Sequence, residues 1–167
     1  MAAPLFLLAP PRSYTSLINA MLGQHPQAFG LPELCLFNVE VLKELWIRTS
    51  DEMSNDAKTR QGLLRAVAEI YGGEQTAATI RMAVHWAAAR EDVGTALVYR
   101  ELVERIHPLV AVEKSPSYTI DIGRMRAMHR AFPEARFLHL IRHPVAQCKS
   151  VMSLNEGAFA LYVNSIE

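Results

Sequence analysis

The sequence predicts an α/β fold in which a parallel β-sheet is flanked by helices. Three short apolar segments, at about residues 5–9, 109–112 and 137–141, have the length and uninterrupted hydrophobicity of buried strands. Each is followed by a polar loop that runs into a helix or turn, and this alternation is typical of a parallel sheet. Ligands collect where the carboxyl ends of such strands meet. All three loops are therefore expected to face one crevice.

Length and composition indicate one domain, or the core of a larger one. Half of the 167 residues are hydrophobic, which is enough for a substantial core. The 17 basic and 17 acidic side chains cancel, so binding to nucleic acid or to an acidic membrane is not expected. No apolar run approaches the ~20 residues of a membrane span, and residues 5–9 lack the basic flank of a signal peptide. We expect a cytoplasmic protein.

The first apolar strand leads into the first candidate anion site. Two prolines end the strand, and a helix begins near Leu17 after five polar residues: Arg12, Ser13, Tyr14, Thr15 and Ser16. The unpaired N–H groups and the dipole of a helix N-terminus attract anions. The alternative is an ordinary turn capped by Ser or Thr. A Walker phosphate loop is absent, because no glycine precedes Gly23, and this disfavours a P-loop kinase or GTPase.

A long helical region, at about residues 39–106, separates the first strand from the second. Spacing of apolar residues predicts helices at about residues 39–47, 63–72, 74–90 and 95–106. Residues 27–32 are predicted to form a loop, and residues 49–56 an exposed polar segment. His85 lies on the alanine-rich third helix. It is a reserve general base if that helix covers the crevice; otherwise it is a core or interface histidine.

The loop after the third strand is the second candidate anion site. Arg142 follows that strand directly, and Ser150 lies eight residues further on in a predicted helix. A guanidinium group gives a phosphate two charge-assisted hydrogen bonds. Taken alone, Arg142 could be a surface arginine and Ser150 an ordinary helix residue. Together with the first loop, they suit a ligand that carries two separated phosphate-like groups. The two cysteines and six histidines show no metal spacing, and no metal site is expected.

Four short motifs, in order along the chain, resemble those of the sulfotransferases that use 3′-phosphoadenosine 5′-phosphosulfate (PAPS). Residues 11–17 look like the 5′-phosphosulfate loop of that family, P-[KR]-S-G-T-[ST]. Residues 23–26 with Glu33 resemble the segment that carries the catalytic glutamate in several members. Residues 113–118 are similar to the E-K-[ST]-P-x-Y element. Residues 141–150 resemble the 3′-phosphate motif, R-[DH]-P with a serine eight residues after the arginine.

The resemblance implies roles for the donor-binding residues. The loop from Arg12 to Ser16 would bind the 5′-phosphosulfate, and Arg12 would stabilise charge on the oxygen that leaves the sulfuryl group. Arg142 and Ser150 would bind the 3′-phosphate that distinguishes this donor from ATP. No metal is implied.

The resemblance also implies catalytic residues. Glu33 would accept the proton of an acceptor hydroxyl as that hydroxyl attacks sulfur in line; the alternative is a carboxylate placed at a helix start by the dipole. Lys114 would lie near the transferring group or the substrate, and is otherwise a solvated lysine at a strand end.

The chain departs from the family pattern in two places. Tyr14 stands where the family usually has glycine, and a positive φ there would strain a tyrosine; its ring could instead pack on the substrate or the adenine. The catalytic domains of the family are commonly ~250–300 residues long, within the usual range of single α/β domains. The resemblance therefore implies that the C-terminal part of the usual domain is missing from residues 1–167.

These expectations define one function and two rivals. The first is an enzyme that moves a sulfuryl group from PAPS to an acceptor hydroxyl or amine, on a P-loop-like three-layer domain whose helical region shapes the acceptor pocket. The acceptor could be a small molecule, a glycan, a lipid or a carrier-bound chain. One rival is a non-catalytic nucleotide-binding or assembly module, which could form a homodimer through exposed apolar surface. The other is an ATP-dependent kinase-like enzyme, which donor preference would reveal.

Overall fold

A parallel four-stranded sheet forms the centre of the computed structural model, which describes residues 3–47 and 57–153. Helices flank the sheet, so the predicted α/β architecture is confirmed. The strands lie in the order β2-β3-β1-β4, and every pair is parallel. Their bounds are Leu5–Leu8 for β1, Ala28–Gly30 for β2, Val110–Lys114 for β3 and Arg136–His139 for β4.

The helical region between β2 and β3 is confirmed over the described residues. Its first α-helix begins at residue 42 rather than near 39, because a 3₁₀ helix comes before it. The predicted polar segment at residues 49–56 lies outside the described residues. The α-helices are α1 Thr15–Gly23, α2 Leu42–Ile47, α3 Ala57–Gly72, α4 Ala77–Ala88, α5 Thr95–Ile106, α6 Ile122–Ala131 and α7 Pro144–Met152; the 3₁₀ helices are Leu36–Asn38 and Pro116–Ile120.

Residues 27–32, predicted to form a loop, contain the edge strand β2, and that prediction was wrong. Three residues are too few to carry an apolar pattern, so β2 exists through its pairing with β3. The Val110 N–H donates to the Gln27 carbonyl at 2.8 Å, and the Leu31 N–H donates to the Val112 carbonyl at 2.7 Å. This pairing carries the chain that follows β2 toward the carboxyl end of β3.

Aromatic rings form the centre of the core. Phe6 of β1 stacks on Tyr99 of α5 with ring centroids 5.3 Å apart, and Phe132, which follows α6, lies edge-on to Tyr99 at 5.1 Å. Phe37 of the first 3₁₀ helix contacts both Phe6 and Tyr118. Such rings bury large apolar areas and add favourable edge contacts. The core thereby fixes residues 34–38 against β1 and β3.

The sheet is open along β4. All four β4 residues are exposed, and in the described ranges no further strand pairs with the outer side of β4. Helix α6 precedes β4 in the sequence, and helix α7 follows it. No helix of the described residues is long and apolar enough to cross a membrane.

Candidate active site

The loop between β1 and α1 leaves the helix N-terminus without a side-chain cap. Tyr14 is the N-cap residue, with φ 59° and ψ 21°, and it makes no capping hydrogen bond. Arg12 also has a positive φ, 65°. The alternative of a turn capped by Ser or Thr was therefore wrong. The first-turn N–H groups of α1 stay available to an anion, as helix N-termini without caps do.

Tyr14 adopts the positive φ that the glycine of the family motif would favour. Its ring is not free, because the Arg142 guanidinium carbon lies 4.2 Å from the ring centre. Arg142 also donates from Nη2 to the Tyr14 hydroxyl at 3.3 Å. The tyrosine therefore joins the first candidate anion site to the second. Its contact with a substrate or with adenine stays a prediction.

The loops that follow β1 and β4 form one surface. The two strands are neighbours in register, with Leu8 opposite His139. Arg12 donates from Nε to Ser150 Oγ at 3.1 Å, and Arg142 donates to the Arg12 carbonyl. These contacts confirm that the two loops meet at neighbouring strand ends.

Gln147 is a further link between the loops that the sequence did not single out. Its Nε2 donates to the Pro11 carbonyl at 3.0 Å. It precedes Ser150 by three residues, so the two share one face of α7. That spacing is the signal that could have identified Gln147.

The two arginines of this surface have no carboxylate partner within the described part of the chain. None of the ion pairs found within residues 3–47 and 57–153 involves Arg12 or Arg142. In addition, Ser13 Oγ is buried and has no hydrogen-bond partner among the described atoms. Two close guanidinium groups without carboxylate partners, beside an unsatisfied hydroxyl and an uncapped helix, fit an anionic ligand.

The end of β3 brings Lys114 and Glu33 to the same place. Lys114 Nζ donates to Ser16 Oγ at 2.8 Å and forms an ion pair with Glu33 Oε1. The lysine is buried, so the alternative of a solvated lysine was wrong, whereas the Glu33 side chain is 47 % exposed. The Lys114 ammonium group thus lies between a carboxylate that solvent can reach and the start of α1. The three predicted loops therefore meet at one edge of the sheet, since Lys114 contacts Ser16 and Arg12 contacts Ser150.

Glu33 itself lies outside the helices. It precedes the first 3₁₀ helix, whose N-cap is Cys35, so the alternative of a helix-start carboxylate was wrong. Its backbone carbonyl is in tight contact with α3, because a Cβ atom built on Gly62 would lie 1.8 Å from that oxygen. A helix residue with a side chain could not occupy this position without moving Glu33.

His85 is not brought to this cluster. It is exposed on α4, whose main packing partner is α3 rather than any of the three loops. Cys35, by contrast, lies near Glu33 but is buried, and burial raises the pKa of its thiol to about 11. Cys35 is therefore protonated near neutral pH and unsuited to nucleophilic attack.

Glu113 is the residue of the site region that sequence reasoning left without a role. It is fully buried in β3, and burial raises the pKa of its carboxyl to about 7. Its Oε1 accepts hydrogen bonds from the Leu34 N–H at 3.2 Å and from the Ser115 hydroxyl. A carboxylate within the apolar run of β3 was the signal that could have drawn attention to it.

Comparisons with known proteins identify the family and the fold of the chain. The model of the sulfotransferase family matches residues 4–167. A sulfotransferase domain from the olefin synthase of Synechococcus PCC 7002 is 27 % identical with a TM-score of 0.78, over 96 % of this chain and 57 % of that one. A sulfotransferase domain from the curacin biosynthetic pathway shares the fold at 24 % identity and a TM-score of 0.77, over 92 % and 52 %.

No curated protein sequence matches the chain. The chain spans little more than half the length of the two solved domains. The family match extends over nearly the whole sequence, and the solved domains share the α/β fold of the chain. The chain therefore belongs to the sulfotransferase family.

Proposed function

We propose that this chain binds PAPS and transfers its sulfuryl group to an acceptor hydroxyl. The observation that carries the proposal is the convergence of three cations, Arg12, Lys114 and Arg142, of which Lys114 alone has a carboxylate partner among the described residues. PAPS carries anionic groups at both its 5′ and 3′ positions, so it matches two neighbouring anion sites. Arg12 with residues 13–16 would hold the 5′-phosphosulfate, and Arg142 with Ser150 would hold the 3′-phosphate.

The pair of Glu33 and Lys114 suits in-line transfer. The acceptor oxygen would form a bond to sulfur while the bond from sulfur to the bridging phosphate oxygen breaks, and adenosine 3′,5′-bisphosphate would leave. The acceptor proton would pass to the Glu33 carboxylate. Arg12 and Lys114 would stabilise negative charge that develops on the leaving oxygen and the sulfuryl group. In this proposal Lys114 orients the Glu33 carboxylate through their ion pair until donor and acceptor are bound.

The acceptor is a biosynthetic intermediate in our proposal. The support is the olefin synthase domain, which belongs to a biosynthetic enzyme and is similar over nearly all of this chain. A hydroxyl on a small molecule, a lipid or a carrier-bound chain fits that class. His85 is not needed as a base, since Glu33 is nearer to the cations.

Turnover of ³⁵S-labelled PAPS tests the proposal. We expect labelled product with at least one member of a panel that contains a phenol, a glycan and 1-decanol, and no phosphorylated product with ³²P-labelled ATP. Arg12→Ala should lower turnover by roughly 10²–10³-fold, the usual cost of removing a group that stabilises developing charge. Glu33→Gln should lose rate while it retains donor binding.

The matched control is Arg81→Ala, an exposed arginine of α4. It should leave turnover within about twofold of the unaltered chain, because surface charges away from a site contribute little. Full activity of Glu33→Gln would show that the proposed base is wrong. Binding of the nucleotide without any turnover would favour the rival nucleotide-binding or assembly module. The open edge at β4 in the described part of the chain is the observation that favours this rival.

A further inference from the structure

Residues 34–37, which follow Glu33, are attached to β3 through side chains rather than through a β-ladder. The Leu34 N–H donates to Glu113 Oε1 at 3.2 Å, and the Cys35 N–H donates to Ser115 Oγ at 3.0 Å. The Phe37 N–H makes a longer bond, 3.5 Å, to the hydroxyl of Tyr118. Three backbone donors of this segment thus depend on side chains of residues 113–118.

Glu113 is the most deeply buried of the side chains that hold this segment. Its side chain is completely buried, Ser115 donates to the same oxygen that Leu34 uses, and Oε2 has no partner among the described atoms. A buried carboxyl group with an unsatisfied oxygen costs free energy that an apolar residue would not. Glu113 follows Ala111 and Val112, which are also buried, so packing alone gives no reason for a carboxyl group there.

Two consecutive residues of β3 hold two consecutive residues of the neighbouring segment. Side chains alternate between the faces of a strand, so Glu113 and Lys114 point in opposite directions. Glu113 binds the backbone of Leu34, whereas Lys114 binds the Glu33 carboxylate. From the side of α3, Gly62 lies against the Glu33 carbonyl. The Glu33 backbone is thus restrained on two sides. Glu113 holds the N–H of the next residue, Leu34, and α3 packs against the Glu33 carbonyl.

We propose that Glu113 is a positioning residue, which fixes the Glu33 carboxylate against Lys114 and the start of α1. It acts through its hydrogen bond to the Leu34 N–H and touches neither donor nor acceptor. This inference rests on the proposed function, in which Glu33 accepts the acceptor proton.

Hydrogen exchange tests the attachment without any need for turnover. Glu113→Gln keeps an oxygen acceptor of the same shape, whereas Glu113→Leu removes it. We expect the Leu34 amide to exchange about fivefold faster in Glu113→Leu, since one hydrogen bond contributes about 1 kcal/mol, and to stay near the unaltered rate in Glu113→Gln. The β1 amides are the internal control. Unchanged exchange at Leu34 in Glu113→Leu would overturn the proposal.

If Glu113→Leu does not fold, Ser115→Ala takes its place. It removes the hydroxyl that holds Glu113 Oε1 and accepts from Cys35, so faster exchange at both Leu34 and Cys35 is expected. Faster exchange at Cys35 alone, with Leu34 unchanged, would contradict the role of Glu113.

A double-mutant cycle tests the catalytic consequence. With ³⁵S-labelled PAPS and the best acceptor of the panel, Glu113→Leu should lower kcat by about 10²-fold, as misplaced catalytic groups do. Its affinity for adenosine 3′,5′-bisphosphate should stay within about twofold, a split that general destabilisation would not produce. In the Glu33→Gln background the same substitution should have no further effect on kcat.

Additive losses in the cycle would overturn the proposal, because Glu113 would then act independently of Glu33. Absence of turnover in the unaltered chain would count against the proposed function, and the exchange experiment would still decide the positioning role.

Discussion

Tyr14 begins α1 in a backbone conformation that L-residues adopt at a cost. Its φ of 59° is typical of glycine, and a left-handed tyrosine costs on the order of 1–3 kcal/mol. The same residue supports the guanidinium group of Arg142 through its ring and hydroxyl. Strain of this kind is usual at sites where the surrounding contacts hold it. We infer that the contact which Tyr14 makes between the two anion-binding loops offsets the backbone strain that a glycine would avoid.

Glu113 makes the stability of the chain depend on pH. Burial raises the pKa of its carboxyl from its ordinary value of 4.5 to about 7. Between these values the folded chain holds a proton that the unfolded chain releases, so the free energy of unfolding falls as the pH rises. The expected loss is about 3 kcal/mol from pH 4.5 to pH 7. Glu113→Gln should lack this loss, which urea unfolding at several pH values measures.

The comparison with Glu113→Gln isolates this carboxyl from the other titrating groups. The control is Glu104→Gln, which removes an exposed carboxyl of α5 in the same way. Parallel curves for the unaltered chain and Glu113→Gln between pH 4.5 and pH 7 would contradict the assignment.

The sequence identified the charged side chains of the site but not the residues that each of them contacts. Arg12, Arg142 and Lys114 were expected at the site from motif order and strand ends. The link from Arg142 to Tyr14 could not be expected, because it depends on a positive φ that only the folded loop shows. The role of Glu113 was hidden for a similar reason, since its partner Leu34 is distant in sequence.

The segment around Glu33 is an element that its neighbours hold in place. It has no ladder of its own after Leu31, and it relies on side chains of residues 113–118 and on close packing by α3. The contact at Gly62 is the tightest, because no side chain separates α3 from the Glu33 carbonyl.

Gly62→Ala should be harmful although alanine favours helices. In an open helix position the substitution would stabilise by about 1 kcal/mol. Here the added Cβ would lie 1.8 Å from the Glu33 carbonyl oxygen, so α3 or the Glu33 segment must move. Overpacking of this kind costs roughly 1–3 kcal/mol. We expect a lower free energy of unfolding in urea, together with slower turnover.

Gly94→Ala is the matched control, because the nearest atom to its added Cβ would be 3.7 Å away. It should change the free energy of unfolding by less than about 1 kcal/mol. A Gly62→Ala chain as stable and as active as Gly94→Ala would contradict the close approach of α3 to Glu33.

At the scale of elements, periodic segments could be predicted and short ones could not. The helices α3 to α6 carry long apolar patterns, and three strands carry apolar runs. The strand β2 has three residues, and its existence depends on hydrogen bonds to β3. The pairing of β2 with β3 also brings Glu33 beside Lys114. No apolar pattern predicts this contact, and only the family resemblance suggested that both residues belong to the site.

The described part of the molecule presents an open sheet edge at β4. Phe137 and Leu138 of β4 are 40 % and 38 % exposed, and Ile141, which follows the strand, is 85 % exposed. Exposed, unpaired edge strands with apolar side chains tend to pair with another chain.

We expect the chain to form a homodimer through β4. Sedimentation should show association that increases with protein concentration, and Leu138→Lys should abolish it, since charged residues on an edge strand oppose pairing. Leu97→Lys, at an exposed leucine of α5, is the control and should leave association intact. A monomer at all concentrations, or equal association of both variants, would contradict a β4 interface.

The most direct measurement of the central claim is calorimetric titration with adenosine 3′,5′-bisphosphate, beside ADP, which lacks the 3′-phosphate. Arg12 and Arg142 lie together without a carboxylate partner among the described residues, so we expect clear preference for the bisphosphate. That preference should disappear in Arg142→Ala, and the affinity for ADP should change little. Equal binding of the two nucleotides, or no binding of either, would contradict the claim that these loops form a PAPS site.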